Sequence, residues 1–224
     1  MTYTPVKTDL LPGSVSFYQR HVVVCTGPAD WPERIELDQD YLQSLAEAIA
    51  TRDAEMSLKV KMTACDDSPR AGGYDILVFP DNIRYFGVKQ ADLSALVETH
   101  LVNNHVVETL PHEVITQTYI FVCRHIRRDV RCGECGPTLL EAFGPALQAY
   151  GLADKVLVRG SSHLGGHKYA GNVIIYPGGD WYGYVSPADV PRLVEQHLIE
   201  GELVADLWRG RMGMLPEEQV KVFS

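Results

Sequence analysis

No run of about eighteen apolar residues occurs in this 224-residue sequence, so no membrane-spanning helix is expected. Basic residues are scarce beside acidic ones, 20 against 29, for a formal net charge of −9. An acidic surface argues against nucleic acid or an anionic membrane as the main partner. Cysteine is sparse too. Five residues, odd in number and unevenly spaced, do not make the paired framework of an extracellular disulfide protein. A reducing compartment such as the cytoplasm is expected, with cysteines serving metal or redox chemistry. Residues 1–11 lack a basic stretch leading into a long apolar run, so no secretory signal is expected there. Absent as well are a serine–histidine–acid arrangement, a phosphate-binding glycine loop and a recognisable pair of catalytic carboxylates. A carrier or binding module is therefore expected in preference to an enzyme.

What is present is ordinary globular composition, 46% hydrophobic and 22% charged, enough for one large domain or two of about 100 residues. The chain also repeats itself at a period of about 97 residues. His21-Val-Val-Val-Cys25 matches Tyr119-Ile-Phe-Val-Cys123 as a short apolar strand ending in cysteine. Helical spacing follows in each half, over Tyr41 to Ala50 and Leu139 to Tyr150, where Pro145 should kink or end the second helix. Second strands are expected at Leu58 to Met62 and Lys155 to Val158.

The closest match is Asp75-Ile-Leu-Val-Phe-Pro80 with Asn172-Val-Ile-Ile-Tyr-Pro177, each followed by a turn, an aromatic strand and a helix. Those helices span Ala91 to Leu101 and Pro187 to Ile199, the latter with Ser186 as cap and Gly201 just beyond its end. Each half thus reads β-α-β-β-β-α, with its first two strands parallel and its last two antiparallel. That is an α/β, thioredoxin-like outline used twice, with mixed sheets flanked by helices. The expected domains are 1–110 and 111–224, meeting in a polar linker around Pro111.

The halves differ in their loops. The second contains Cys123, Cys132, Cys135, His163 and His167, whereas the first keeps only Cys25 and Cys65, both expected as buried core thiols. Cys123 and Cys132 form C-x8-C, and His163 and His167 form H-x3-H in a loop whose Gly165 and Gly166 suit close wrapping. In a thioredoxin-like sheet these two loops leave the same end of adjacent strands. Two thiolates with two imidazoles suit either tetrahedral zinc or an iron–sulfur cluster with histidines on one iron.

Three segments are specific: Cys123-Arg-His-Ile-Arg-Arg-Asp-Val-Arg-Cys132-Gly, His163-Leu-Gly-Gly-His-Lys-Tyr-Ala-Gly-Asn172, and Trp181-Tyr-Gly. With Leu207-Trp-Arg-Gly210 they make the chain resemble the sucrase/ferredoxin-like family, a branch of the thioredoxin-like ferredoxins. The resemblance is strong over about the last hundred residues and weak over the first hundred. It implies an electron-transfer protein whose [2Fe–2S] cluster is held by Cys123, Cys132, His163 and His167. Related ferredoxins use four cysteines, so the histidine pair implies a raised potential and redox behaviour coupled to protons. It also implies a redox partner protein, a donor or an acceptor. The two halves would form a pseudo-dimer within a monomer, or the chain a homodimer.

Other readings stand beside this one. Cys132-Gly-Glu-Cys135 is a C-x-x-C motif suited to thiol–disulfide exchange. A zinc-binding module without redox activity would use the same ligand types. His125 is expected as an exposed loop histidine. Arg127, Arg128, Asp129 and Arg131 form a charged run that reads as a solvated face or as one able to meet an acidic electron donor; the resemblance implies that Asp129 and Arg131 belong to the motif and brace the loop by an ion pair. Lys168 reads as a surface lysine or as a group offsetting cluster charge, and Asn172 as a turn cap. Trp181, Tyr182 and Tyr184 are expected to pack, and His100, His105, His112 and His197 are given no role.

Overall fold

A computed structural model describes residues 11–38, 40–70 and 72–223. The chain divides into two compact units, one of residues 18–116 and the other of residues 11–17 with 117–223. The first unit contains β1 (Arg20–Cys25), α1 (Asp40–Arg52), β2 (Val60–Cys65), β3 (Tyr74–Phe79), β4 (Ile83–Val88), helical run α2 (90–102) and β5 (His112–Val114). The second contains β6 (Thr118–Cys123), α3 (Val130–Ala149), β7 (Val156–Ser161), β8 (Val173–Tyr176), β9 (Asp180–Tyr182), helical run α4 (187–200) and β10 (Trp208–Arg211).

Both units use one topology. In the first, β1 pairs in parallel with β2 and antiparallel with β3, which pairs with β4, and β4 with β5. In the second, β6 pairs in parallel with β7 and antiparallel with β8, followed outward by β9 and β10. This strand order, with a helix crossing between the parallel pair, is the thioredoxin-like arrangement. Val22, Val23 and Val24 of β1 and Ile120, Phe121 and Val122 of β6 are fully buried, as expected of central strands covered on both faces.

Each unit carries its own core. Leu42, Leu45 and Ile49 of α1 pack with Val22, Val24, Ile76 and Tyr85. Leu139, Phe143 and Leu147 of α3 pack with Ile120, Val122, Val173 and Ile175. A buried tyrosine–histidine pair recurs at matching positions: Tyr85 Oη meets His100 Nδ1 at 2.6 Å, and Tyr182 Oη meets His197 Nδ1 at 2.7 Å. Two histidines given no role thus satisfy buried tyrosine hydroxyls.

Three features depart from the sequence reading. Each unit has a fifth strand, β5 or β10, so the edge of the first unit lies beyond residue 110, where β5 pairs with β4. Residues 11–17 belong with the second half, through hydrogen bonds from Arg209 to Ser14 and from Gln219 to Val15. And α3 begins at Val130 and runs through both Pro137 and Pro145. A proline inside a helix costs about 3 kcal/mol; the apolar stripe of Leu139, Phe143, Ala146 and Leu147 buried against the sheet outweighs it. Among the described residues no helix is long and apolar enough to cross a membrane.

Candidate metal centre

Cys123 is the last residue of β6 and lies opposite Ser161, the last residue of β7. The loops leaving these strands therefore start side by side. Arg124 N donates to Ser161 O at 3.0 Å, and Cys123 N donates to Asn172 O at 3.0 Å, which locks the strand ends together. The chain then turns into α3, whose first turn is capped by Asp129: its carboxylate accepts from Arg131 N at 3.0 Å and from the Arg131 guanidinium twice at 2.9 Å. The cap is the bracing ion pair expected from sequence, and it sets the direction of the helix. Cys132, in that first turn, is fully buried.

The two thiols are partners. Hydrogen bonding from Cys132 holds the Cys123 thiol well below its ordinary value, helped by His163 and the backbone amides of Leu164 and His125, against the opposing effect of burial. The Cys132 thiol is raised by the same contact with Cys123 and by burial. The contact thus lowers the Cys123 thiol, where three further donors converge, and raises that of Cys132.

The histidine loop is built around Arg209. This side chain, 2% exposed, donates to Gly165 O at 3.2 Å, Asn172 Oδ1 at 2.6 Å, Ser14 Oγ at 3.0 Å and Ser14 O at 3.0 Å. Asn172 Nδ2 in turn donates to Gly166 O at 3.0 Å. Gly166 has φ +70°, and a Cβ there would meet Arg209 Nη2 at 2.3 Å; only glycine fits both the backbone and the close approach. Burial pushes the Arg209 guanidinium down to about 10, while Tyr169, Cys123, Tyr184 and Cys132 act to raise it. It remains a buried cation at neutral pH, within the field of both thiols.

The structure brings three of the four expected residues together. Cys123 interacts directly with Cys132 and with His163, and His163 Nδ1 is a buried nitrogen without a hydrogen-bond partner. His167 stands at the rim, 51% exposed, with its ring centroid 5.8 Å from that of His163 and its Nδ1 4.0 Å from Asp129 Oδ2. Among the described residues no three histidine, cysteine or acidic side chains converge as a site for one metal ion. A two-iron cluster makes a different demand, because its four ligands divide into two pairs. The thiol pair, the orphaned His163 nitrogen and the nearby buried cation fit such a group.

Sequence reasoning missed two residues of this site. His125, expected on the surface, is 2% exposed, and its Nδ1 accepts from His163 N at 3.1 Å. Its burial follows from the turn into α3, which a local reading does not reveal. Arg209 lay within the motif Leu207-Trp-Arg-Gly210, but its place beneath the histidine loop depends on β10 pairing with β9. Cys135 is buried on the next turn of α3 and accepts from Gly171 N at 3.1 Å. Cys132 thus pairs with Cys123, and Cys135 with a backbone amide. Cys25 and Cys65 are buried, with sulfurs 3.7 Å apart across β1 and β2. Trp181, Tyr182 and Tyr184 are buried packing residues.

The sucrase/ferredoxin-like family model matches residues 11–210. Altered inheritance of mitochondria protein 32 from Debaryomyces hansenii is 42% identical over 103 residues, covering 44% of this chain and 37% of the relative. Actin patches distal protein 1 of Saccharomyces cerevisiae is 32% identical over 158 residues, covering 61% of this chain and 50% of the relative. The matched regions thus span half or less of these two relatives. Among solved structures, a thioredoxin-like [2Fe–2S] ferredoxin from Aquifex aeolicus shares 28% identity, with 45% of this chain and 96% of that chain covered and a TM-score of 0.40.

Proposed function

This chain belongs to the sucrase/ferredoxin-like family, and from that premise we propose that its second half carries a [2Fe–2S] cluster on Cys123, Cys132, His163 and His167 and serves as a one-electron carrier. The observation that carries this reading is the meeting of Cys132, His163 and two backbone amides on the Cys123 sulfur, with a buried histidine nitrogen left without a partner. When bound, such a cluster takes up and releases single electrons, at a potential set by its ligands, their charge and their hydrogen bonds.

The surrounding residues have distinct parts in this reading. Asp129 caps α3 and so fixes where Cys132 points. His125 holds the backbone of His163, and Asn172 and Arg209 hold the carbonyls of Gly166 and Gly165. Such outer partners keep ligands oriented. Arg209 also supplies positive charge to a centre that gathers thiolates. A thiol–disulfide exchanger would instead need an accessible thiolate, whereas Cys132 is fully buried with its thiol raised.

The histidine assignment is tested by His163→Cys and His167→Cys. Each variant should retain iron but shift the visible absorption spectrum, because thiolate replaces imidazole on the metal. Spectra unchanged in both variants would remove the histidines from the ligand set.

A further inference from the structure

The first half answers its buried arginines with carboxylates. Arg20 donates to both oxygens of Asp81 at 2.9 Å, and Arg84 pairs with Asp75 and Asp67 at 2.8 and 3.1 Å. Arg209 is buried to the same degree as Arg20. Among the described residues, however, every hydrogen bond it donates goes to a neutral oxygen, on Ser14, Gly165 or Asn172.

A buried charge is costly unless an opposite charge answers it. Aromatic faces meet part of that cost: the guanidinium carbon lies 4.4 Å from the ring centroid of Tyr169 and 5.4 Å from that of Trp181. Room is cleared for the side chain at Gly183, where a Cβ would stand 2.6 Å from Arg209 Cδ. Neither ring supplies a negative charge. The groups that favour the charged guanidinium are Tyr169, Cys123, Tyr184 and Cys132, and of these the two cysteines become anions on binding a metal.

We propose that Arg209 is the fixed counter-cation of the cluster held on Cys123 and Cys132, and that its charge sets the reduction potential; this rests on the cluster reading above. Reduction adds one negative charge to the centre, and a cation held near it favours that state. Arg209 acts through the cluster as a positioning residue, so its hydrogen bonds and its charge must be separated. Lysine keeps the charge but lacks the planar fork, whereas glutamine keeps donors without the charge. Asn172 offers a second route, because its Oδ1 accepts from Arg209 Nη1 at 2.6 Å. A carboxylate at that position would neutralise the guanidinium without removing it, as Asp75 does for Arg84 in the first half.

The test uses the full chain purified without oxygen, as wild type, Arg209→Lys, Arg209→Gln and Asn172→Asp, with iron and sulfide measured in each. All four are held at the potential that leaves the wild type half reduced, and absorption gives the ratio of reduced to oxidised protein. Arg209→Gln and Asn172→Asp should each lower that ratio about tenfold, equivalent to about 59 mV for one electron. Arg209→Lys should stay within about twofold of wild type. Ratios unchanged in both charge-removing variants would overturn the proposal. Equal losses in Arg209→Lys and Arg209→Gln would overturn it too, since they would trace to hydrogen bonding. If Arg209→Gln holds no iron, Asn172→Asp decides. Wild-type protein without iron and sulfide would overturn the cluster reading itself, and the counter-cation with it.

Discussion

The two halves share a topology and fill the same end of it with opposite chemistry. In the first, Cys25 faces Cys65 across the parallel pair. Its Arg84 bridges Asp75 and Asp67, at 2.8 and 3.1 Å, and so ties down the loop after β2. In the second, Ser161 takes the place of Cys65, and Asn172 that of Asp75. The arginine comes from β10 instead, and the hydrogen bonds of Arg209 go to neutral oxygens. An arginine answered by carboxylates closes a loop; one answered by amides and carbonyls keeps its charge available to nearby thiols. Exchanging the acid for Asn172 therefore goes together with the gain of ligand-type residues.

The comparison can be broken most severely at the cysteines that end the first strands. Cys123→Ser should abolish iron binding and visible colour, whereas Cys25→Ser should leave both unchanged, as read by iron analysis and absorption. The arginines come next. Arg84→Met takes the guanidinium from the fully buried Asp75, which still accepts from the Arg70 and Gly87 amides, and should cost about 3 kcal/mol in denaturant unfolding, with iron content preserved. Arg209→Met should cost about 2–4 kcal/mol, from buried acceptors left unpaired, and should lower iron content as well. Equal iron loss in both variants would mean that the arginines do not distinguish the halves.

A smaller contrast lies in acid. Burial raises the Asp81 carboxyl, but hydrogen bonds from His100 and Arg20 and their charges prevail, lowering it from 3.8 to about 2. The stability it provides is present above the unfolded value and is lost as pH falls through that window. The second half has Gly178 at this position. Asp81→Asn should therefore cost about 1–2 kcal/mol near neutrality, and the difference from wild type should fade below about pH 3 in denaturant titrations. Smallest of all, Tyr85→Phe and Tyr182→Phe should each cost about 1 kcal/mol in the same assay. The repeated tyrosine–histidine pair makes those two losses similar.

Much of the duplication was legible because it rests on local signals. Apolar strands ending in cysteine, the strand–proline–turn–aromatic strand and the helix cap at Ser186 are each written within a few residues. The candidate ligands were legible for a related reason, since cysteine and histidine at short spacing have few structural uses in common. The rest depends on contacts distant in sequence. His125 is buried by the turn into α3, Arg209 reaches the histidine loop from β10, and Ser14 joins it from the other end of the chain. The start of α3 at Val130 escaped because Pro137 and Pro145 outweigh packing in a local reading, and β5 because His112-Glu-Val114 is short and has little apolar alternation.

The central claim is that only the second half holds a cluster, and metal content addresses it most directly. Wild-type protein purified without oxygen should contain about two irons and two acid-labile sulfides per chain, all lost in Cys123→Ser and all retained in Cys25→Ser. Zinc in place of iron, with no sulfide, would contradict it.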